Sequence, residues 1–198
     1  MNHYFTDNDT FKHNIKTIKY EYNGRTFAFV TDAGVFSRDH VDHATDALIR
    51  SIPPLTGSLL DMGCGYGVLG IVLAKTNGLA LTLADINRQA LALARRNCEA
   101  NGVDAHVVHS DCYDNVTGAF DTIAINPPIR AGKAVTYRMY DGAAGHLSPG
   151  GRLYVVNLKK QGAESTRSKL TEVFGNCETI YKKKGVYVFY CTKPYTSK

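Results

Sequence analysis

Leu59-Leu60-Asp61-Met62-Gly63-Cys64-Gly65-Tyr66-Gly67-Val68-Leu69-Gly70 is the stretch whose reading decides the fold. It reads as a buried strand, a tight glycine turn and the start of an apolar helix. Glycines at alternate positions allow positive φ and let a ligand approach the backbone closely. Taken alone, Gly65-x-Gly67-x-x-Gly70 also fits the dinucleotide fingerprint, which is a weak signal. Asp61 changes the balance. It stands at the strand end, where its carboxylate can hold an ammonium group, and a dinucleotide turn has no need of a buried acid there.

Outward from this stretch, apolar strand-like runs alternate with helical segments. Leu79 to Ala84 reads as a strand, and Asn87 caps a helix from Arg88 to Ala100 that Gly102 stops. His106 to His109 and Phe120 to Ile125 are the next two strands. A helix is expected over Ala134 to Leu147. Pro149-Gly150-Gly151 reads as a turn into the strand Leu153 to Leu158, followed by a helix around Ser165 to Phe174. Two strands, Thr179 to Lys183 and Val186 to Thr192, turn around Lys184-Gly185.

Upstream, Ile15 to Tyr22 and Arg25 to Val30 flank Asn23-Gly24, the strongest short-range hairpin signal. Ser37 is expected to cap a helix carrying Val41, Ala44 and Leu48 at helical spacing, which Pro53-Pro54 stop. The fold class that follows is α/β: a Rossmann-like, doubly wound, mostly parallel seven-stranded sheet. It is expected to have an antiparallel C-terminal hairpin strand and a small N-terminal β-hairpin. Residues 1–33 are expected to form an N-terminal extension, and residues 34–198 one domain.

Two further acids end successive strands. Asp85 is placed to accept both hydroxyls of a ribose. Asp111, in Ser110-Asp111-Cys112, is placed to accept from an adenine amino group. Acids at successive strand ends line the sheet edge where open α/β folds bind ligands. The plainer reading is that Asp85 and Asp111 cap helices or face solvent.

The fourth strand of the alternating region runs into Asn126-Pro127-Pro128-Ile129. Neither proline donates to a ladder and each fixes its own φ, so the strand ends in a stiff corner carrying one amide. The Asn126 carbonyl and a neighbouring backbone carbonyl can both accept hydrogens from a planar amino group. That leaves the nitrogen lone pair free for an electrophile.

The remaining composition sets bounds. The chain has 198 residues, 44% of them hydrophobic and 21% charged, with a net charge of +5. These values suit a soluble globular chain that builds its own core. Mild basicity is compatible with nucleic acid without being diagnostic. Five scattered cysteines, with no Cys-x-x-Cys, argue against a disulfide framework or zinc site and favour a reducing cytoplasm. No metal is expected, because the histidines show no ligand spacing. The N-terminus lacks the apolar region of a signal peptide, and no apolar run is long enough to span a membrane.

Asp-x-Gly-x-Gly-x-Gly, a later ribose acid and Asn-Pro-Pro at the fourth strand together resemble class I S-adenosylmethionine-dependent methyltransferases. More narrowly, the chain is similar to single-domain relatives of the ribosomal RNA small-subunit methyltransferase C family, which acts on guanine N2. Gly34-Val35-Phe36-Ser37-Arg38-Asp39, His146-Leu147-Ser148-Pro149-Gly150-Gly151 and Val156-Asn157-Leu158-Lys159-Lys160-Gln161-Gly162-Ala163 carry the finer resemblance. It implies S-adenosyl-L-methionine as cofactor. Asp61, Gly63, Cys64, Gly65 and Gly67 would cradle its methionine part, Asp85 with Ile86 its ribose, and Asp111 with Cys112 its adenine. Asn126 and the Pro127 carbonyl would hold the target amine beside the cofactor. Phe36, Ser37, Pro128, Ile129, Arg130 and Lys133 would meet the substrate.

Many Asn-Pro-Pro enzymes carry an aromatic ring next, to stack on the target base. Ile129 is a weaker platform, and Tyr137, Tyr140 and Phe36 are the candidate substitutes. Arg130, Lys133, Arg138, Lys159 and Lys160 are candidate phosphate contacts, or simply solvated charges. Lys182-Lys183-Lys184 reads as a hairpin turn. Cys64 and Cys112 read as small packing residues rather than nucleophiles.

The expected partner is RNA, ribosomal RNA or the small ribosomal subunit, with the chain acting as a monomer or homodimer and without an additional N-terminal RNA-binding domain. The expected reaction is displacement of methyl from sulfonium onto an exocyclic amine. The same corner also suits adenine N6 or a protein glutamine amide. A different class, an NAD-dependent oxidoreductase or a non-catalytic cofactor-binding module, fits the glycine turn but leaves Asp61 and Asn126 without a purpose.

Overall fold

The computed structural model describes residues 14–35 and 37–195, with the Ile129 side chain outside the description. The described residues form two sheets. Strands β1 (Lys16–Tyr22) and β2 (Arg25–Thr31) make an antiparallel hairpin. Asn23 and Gly24 at its tip have φ of 49° and 72°, the positive values a tight hairpin turn demands.

The second sheet has seven strands: β3 (Ser58–Met62), β4 (Ala80–Asp85), β5 (Ala105–His109), β6 (Phe120–Ile125), β7 (Leu147–Leu158), β8 (Glu178–Lys183) and β9 (Val186–Thr192). Their spatial order is β5-β4-β3-β6-β7-β9-β8. All neighbouring pairs are parallel except β7 with β9 and β8 with β9, so β9 alone runs against the rest. The order reverses between β3 and β6. The crevice above their C-terminal ends is therefore where an open α/β sheet binds its ligand.

The central strands are buried on both faces, and their side chains alternate between two cores. Leu59, Ala124, Tyr154, Val156 and Val188 face the first, with helices α1 (His43–Ser51), α2 (Val68–Asn77) and α3 (Arg88–Asn101). Leu60, Ile123, Ile125, Val155 and Phe189 face the second, with α4 (Lys133–His146) and α5 (Ala163–Phe174). This two-faced burial is why these strands read as continuous apolar runs. By the same alternation Asp61, two residues after Leu59, lies on the α2 side of the sheet.

The hairpin lies on α3. Asn97, fully buried, accepts from the Val30 N–H (2.7 Å) and donates to the carbonyls of Val30 (3.1 Å) and Tyr66 (2.9 Å). One turn on, Asn101 does the same for Ala28. Phe27 and Phe29 thereby join the first core.

Two expectations are corrected. Ser37 does not cap α1. Asp42 does, accepting from the N–H groups of Ala44 (2.9 Å) and Thr45 (3.1 Å). Ser37 instead has φ 57°, and its hydroxyl donates to the His40 carbonyl. The cap side chain has to reach two or three residues forward, and only Asp42 stands that close to the helix. Pro149-Gly150-Gly151 is not a turn before β7 but an irregularity within it. Gly150 N–H donates to the Lys193 carbonyl and Lys193 N–H to that of Gly151, which keeps the segment paired while its register against β6 slips.

Candidate active site

The glycine turn between β3 and α2 is held by its own donors. The N–H groups of Gly63 and Cys64 both donate to the Ala84 carbonyl (2.8 and 3.0 Å), and that of Gly67 to Cys64 (2.9 Å). Gly65 N–H donates to Asp85 Oδ2 and Gly70 N–H to Asp61 Oδ2, each at 2.8 Å. A pyrophosphate is bound by free N–H donors of such a turn at a helix N-terminus. Here five of those donors are already engaged with protein oxygens. These bonds preform the turn as one wall of the site.

Gly65 shows why the wall needs glycine. Its φ is +54°, and a Cβ built there would meet nothing within 4 Å, so it would project into open space. That space is a cavity of about 1020 Å³ along the C-terminal ends of β3, β4 and β6. It is large enough for a nucleoside-sized ligand with room for an acceptor.

Asp61 forms part of its floor, only 1% exposed. Burial raises its carboxyl from 3.8 to about 7; the Gly70 N–H opposes the rise and Asp85 adds to it. A cation placed beside it would favour its charged form. Asp85 is also pushed up by burial, against N–H donors from Asn87, Gly65 and Ile86. Its two oxygens brace the glycine turn and the start of the next loop, with Asn87 N–H donating to Oδ1 at 2.8 Å. Asp111 lies at the cavity edge in an ion pair with Arg138 (3.1 Å), both partners about half exposed.

Beside the glycine turn, at the end of the neighbouring strand β6, stands the Asn126-Pro127-Pro128 corner. Ala131 N–H donates to the Pro128 carbonyl at 2.8 Å, turning the chain into a short 3-10 segment before α4. Asn126 Nδ2 donates to Thr45 Oγ1 at 2.8 Å, and the Thr45 hydroxyl donates to Asp42 Oδ2. Asn126 Oδ1 has no protein partner among the described residues, and Asn126 lines the cavity.

Of the residues singled out in the sequence, the cavity brings together Asp61, Gly63, Cys64, Gly65, Asp85, Ile86, Asp111, Cys112, Asn126, Pro127, Pro128, Arg130 and Ser37. Gly67 stands behind the wall as the residue before α2, with φ 94°. Lys133 is exposed at the first turn of α4, outside the lining. Phe36 and the Ile129 side chain lie outside the described residues. Neither tyrosine considered as a base platform reaches the cavity. Tyr140 is fully buried in the second core, and Tyr137 packs on it at 6.2 Å. Among the described residues the lining includes Tyr66, whose hydroxyl donates to the Ser37 carbonyl at 3.0 Å and ties that segment to the site.

The thiols of Cys64 and Cys112 are pushed up by burial, that of Cys112 to about 11, so neither is a ready nucleophile. Among the described residues no group of three His, Cys, Asp or Glu side chains is disposed to hold a metal.

Three contributors were not visible in the sequence. Thr45 reaches Asn126 from α1, 81 residues away, and Asp42 holds the Thr45 hydroxyl from the helix cap. Lys184, expected in a plain hairpin turn, lies at the cavity mouth with Lys159 and Lys160, because Lys159 N–H donates to the Gly185 carbonyl (2.7 Å) and joins the two loops. An Asp-x-x-Thr pair that opens a helix, with Asp42 as cap and Thr45 in the first turn, was the available signal for the first two. Nothing local marks the third.

Residues 26–190 match the family model of the methyltransferase small domain. An uncharacterized protein of Bacillus subtilis, YbxB, is 38% identical over 197 residues, covering 96% of this chain and 98% of that one. The ribosomal RNA small subunit methyltransferase C of Aeromonas hydrophila is 42% identical over 151 residues, covering 72% of this chain and 44% of the relative. Among solved structures, a 16S rRNA N2 methyltransferase of T. thermophilus in complex with AdoMet and guanosine superposes with a TM-score of 0.81 at 26% identity, covering 90% of this chain and 50% of that one. The chain thus spans about half the length of the ribosomal RNA enzymes it matches. It belongs to the methyltransferase small-domain family and is an S-adenosylmethionine-dependent methyltransferase.

Proposed function

We propose that the protein transfers a methyl group from S-adenosylmethionine to the exocyclic N2 of a guanine in ribosomal RNA. The observation that carries this reading is that one cavity brings together, at the ends of the neighbouring strands β3 and β6, a buried acid beneath a glycine turn and an amide corner suited to a planar amine. The relatives named for ribosomal RNA methylation, and a neighbour solved with guanosine, support the choice of acceptor.

In this reading Asp61 receives the ammonium of the cofactor's methionine part. Gly63 and Gly65 let the cofactor lie against the backbone, with Asp85 and Ile86 along its ribose and Asp111 with Cys112 at its adenine. The cofactor supplies a methyl group on a positively charged sulfur. Asn126 Oδ1 and the Pro127 carbonyl accept the two hydrogens of the target amine. That leaves the amine lone pair free for a methyl group, which the bound cofactor would supply; the new N–C bond would form as the sulfur keeps the electron pair of the C–S bond that breaks. The proton lost from nitrogen passes to water. No side chain has to act as a strong base, because positioning alone removes roughly 7–11 kcal/mol of barrier when two bound reactants are aligned.

A guanine amine inside a duplex is out of reach, so the target base is flipped out or already unpaired. Arg130, Lys159, Lys160 and Lys184 crowd the cavity mouth and suit the phosphates on either side of that base. Methyl-labelled cofactor incubated with small ribosomal subunits lacking native methylation tests the reading. N2-methylguanosine in the digested RNA is the expected product. N6-methyladenosine, or label in ribosomal protein glutamine alone, would replace it with one of the other acceptors.

A further inference from the structure

The polarity of the acceptor corner is decided outside the Asn-Pro-Pro motif. An Asn side chain offers a carbonyl on one side and an amino group on the other, and only one orientation suits an amine acceptor. With Oδ1 turned into the cavity, Asn126 accepts from the target and leaves its lone pair free. With Nδ2 turned in, it would meet the amine donor to donor.

Three residues settle the choice in sequence. Asp42 is a carboxylate and accepts only, and it is already fixed as the cap of α1 by the N–H groups of Ala44 and Thr45. Its second oxygen therefore takes the hydroxyl proton of Thr45. With that proton committed, Thr45 Oγ1 faces Asn126 with a lone pair and accepts. Only Nδ2 can satisfy it. Thr45 is 8% exposed, so solvent competes poorly for this position.

We infer that Asp42 and Thr45 are positioning residues for methyl transfer, locking the Asn126 amide with its carbonyl toward the acceptor. The same pair makes the corner selective for acceptors that donate hydrogens, an amino or amide nitrogen, over those that only accept. This inference rests on the methyltransferase activity and not on the RNA acceptor. It also couples the corner to α1, so that the helix cap and the acceptor polarity depend on one carboxylate.

Thr45→Val keeps the shape and removes the acceptor; Thr45→Ser restores it. Two readouts separate the lock from the choice of acceptor. The first needs no substrate: the side-chain amide signals of Asn126 in nitrogen-15 spectra, assigned by their loss in Asn126→Ala. One of the two amide protons should be protected from exchange in the wild type and in Thr45→Ser, and lose that protection in Thr45→Val. The second is methyl transfer to undermethylated small subunits at saturating cofactor. Here kcat should fall roughly tenfold to a hundredfold in Thr45→Val, the scale of a misplaced reacting group. It should recover in Thr45→Ser, with cofactor affinity equal in all three. Exchange that is equally fast in wild type and Thr45→Val would overturn the lock. So would equal losses of kcat in the Val and Ser variants, or a loss confined to cofactor affinity. An absence of transfer by the wild type, with the protected proton present, would count against the RNA acceptor alone.

Discussion

Asp61 is pulled in two directions at the scale of a single residue. Its carboxyl group rises to about 7 because burial disfavours the charge, while the ammonium it is proposed to receive would require that charge. The folded pKa lies above the unfolded one, so the free protein holds an extra proton between about pH 4 and pH 7. The stability contributed by this group is fully present below the unfolded pKa. It declines as pH rises through that window. If Asp61 receives the cofactor's ammonium, binding expels that proton, so affinity for S-adenosylmethionine should climb with pH and level off only above about pH 7. Titration calorimetry from about pH 5 to pH 7.5 should show this rise in wild type and a weaker, flatter dependence in Asp61→Asn. A pH-independent wild-type affinity would mean that Asp61 does not meet the ammonium. Asp61 was legible in the sequence because a strand and a glycine turn place it without help from elsewhere. Thr45 was not, because its meaning comes from Asn126, 81 residues on.

Among the elements, the alternation of strands and helices was most readable where a glycine stops the helix. Gly78 and Gly102 both end helices in the left-handed conformation, with φ of 70° and 60°. The seven-stranded sheet and its single reversed strand follow from that alternation and the final hairpin. The start of α1 was misplaced because two polar residues could cap it and only geometry distinguishes Ser37 from Asp42. The seat of the N-terminal hairpin was equally hidden. Asn97 lies within a helix whose pattern says only that one face is buried, yet its amide serves both edges of Val30 and the Tyr66 carbonyl. Asn97→Ala would leave three buried backbone groups without partners and should cost about 3 kcal/mol. Urea unfolding checks the figure, and a loss below about 0.5 kcal/mol, the size of a neutral surface change, would show that the hairpin is held by its aromatic residues alone.

At the scale of the whole molecule, the sheet gathers residues that the sequence keeps far apart. The ends of β3, β4 and β6 face one cavity, and the β8–β9 turn adds Lys184 beside Lys159 and Lys160 at its mouth. This grouping was out of reach for the sequence, since a run of lysines in a hairpin turn is ordinarily just solvated. If these lysines meet phosphates, replacing Lys159, Lys160 and Lys184 together by Gln should weaken RNA binding. The slope of log affinity against log salt should become shallower by about 0.7 for each phosphate of single-stranded RNA that is no longer neutralised. Filter binding at several salt concentrations reads both quantities; an unchanged slope would place the RNA elsewhere. Among the described residues no helix is long and apolar enough to cross a membrane.

The sharing of one cavity by the cofactor and the Asn126 corner is tested most directly by comparing wild type with Asn126→Ala, measuring cofactor affinity and single-turnover methyl transfer to undermethylated small subunits. The geometry predicts cofactor affinity within about twofold and a transfer rate lower by about a hundredfold, the cost of losing a positioned reacting group. A variant that transfers methyl at the wild-type rate would show that the amine is held somewhere other than at Asn126.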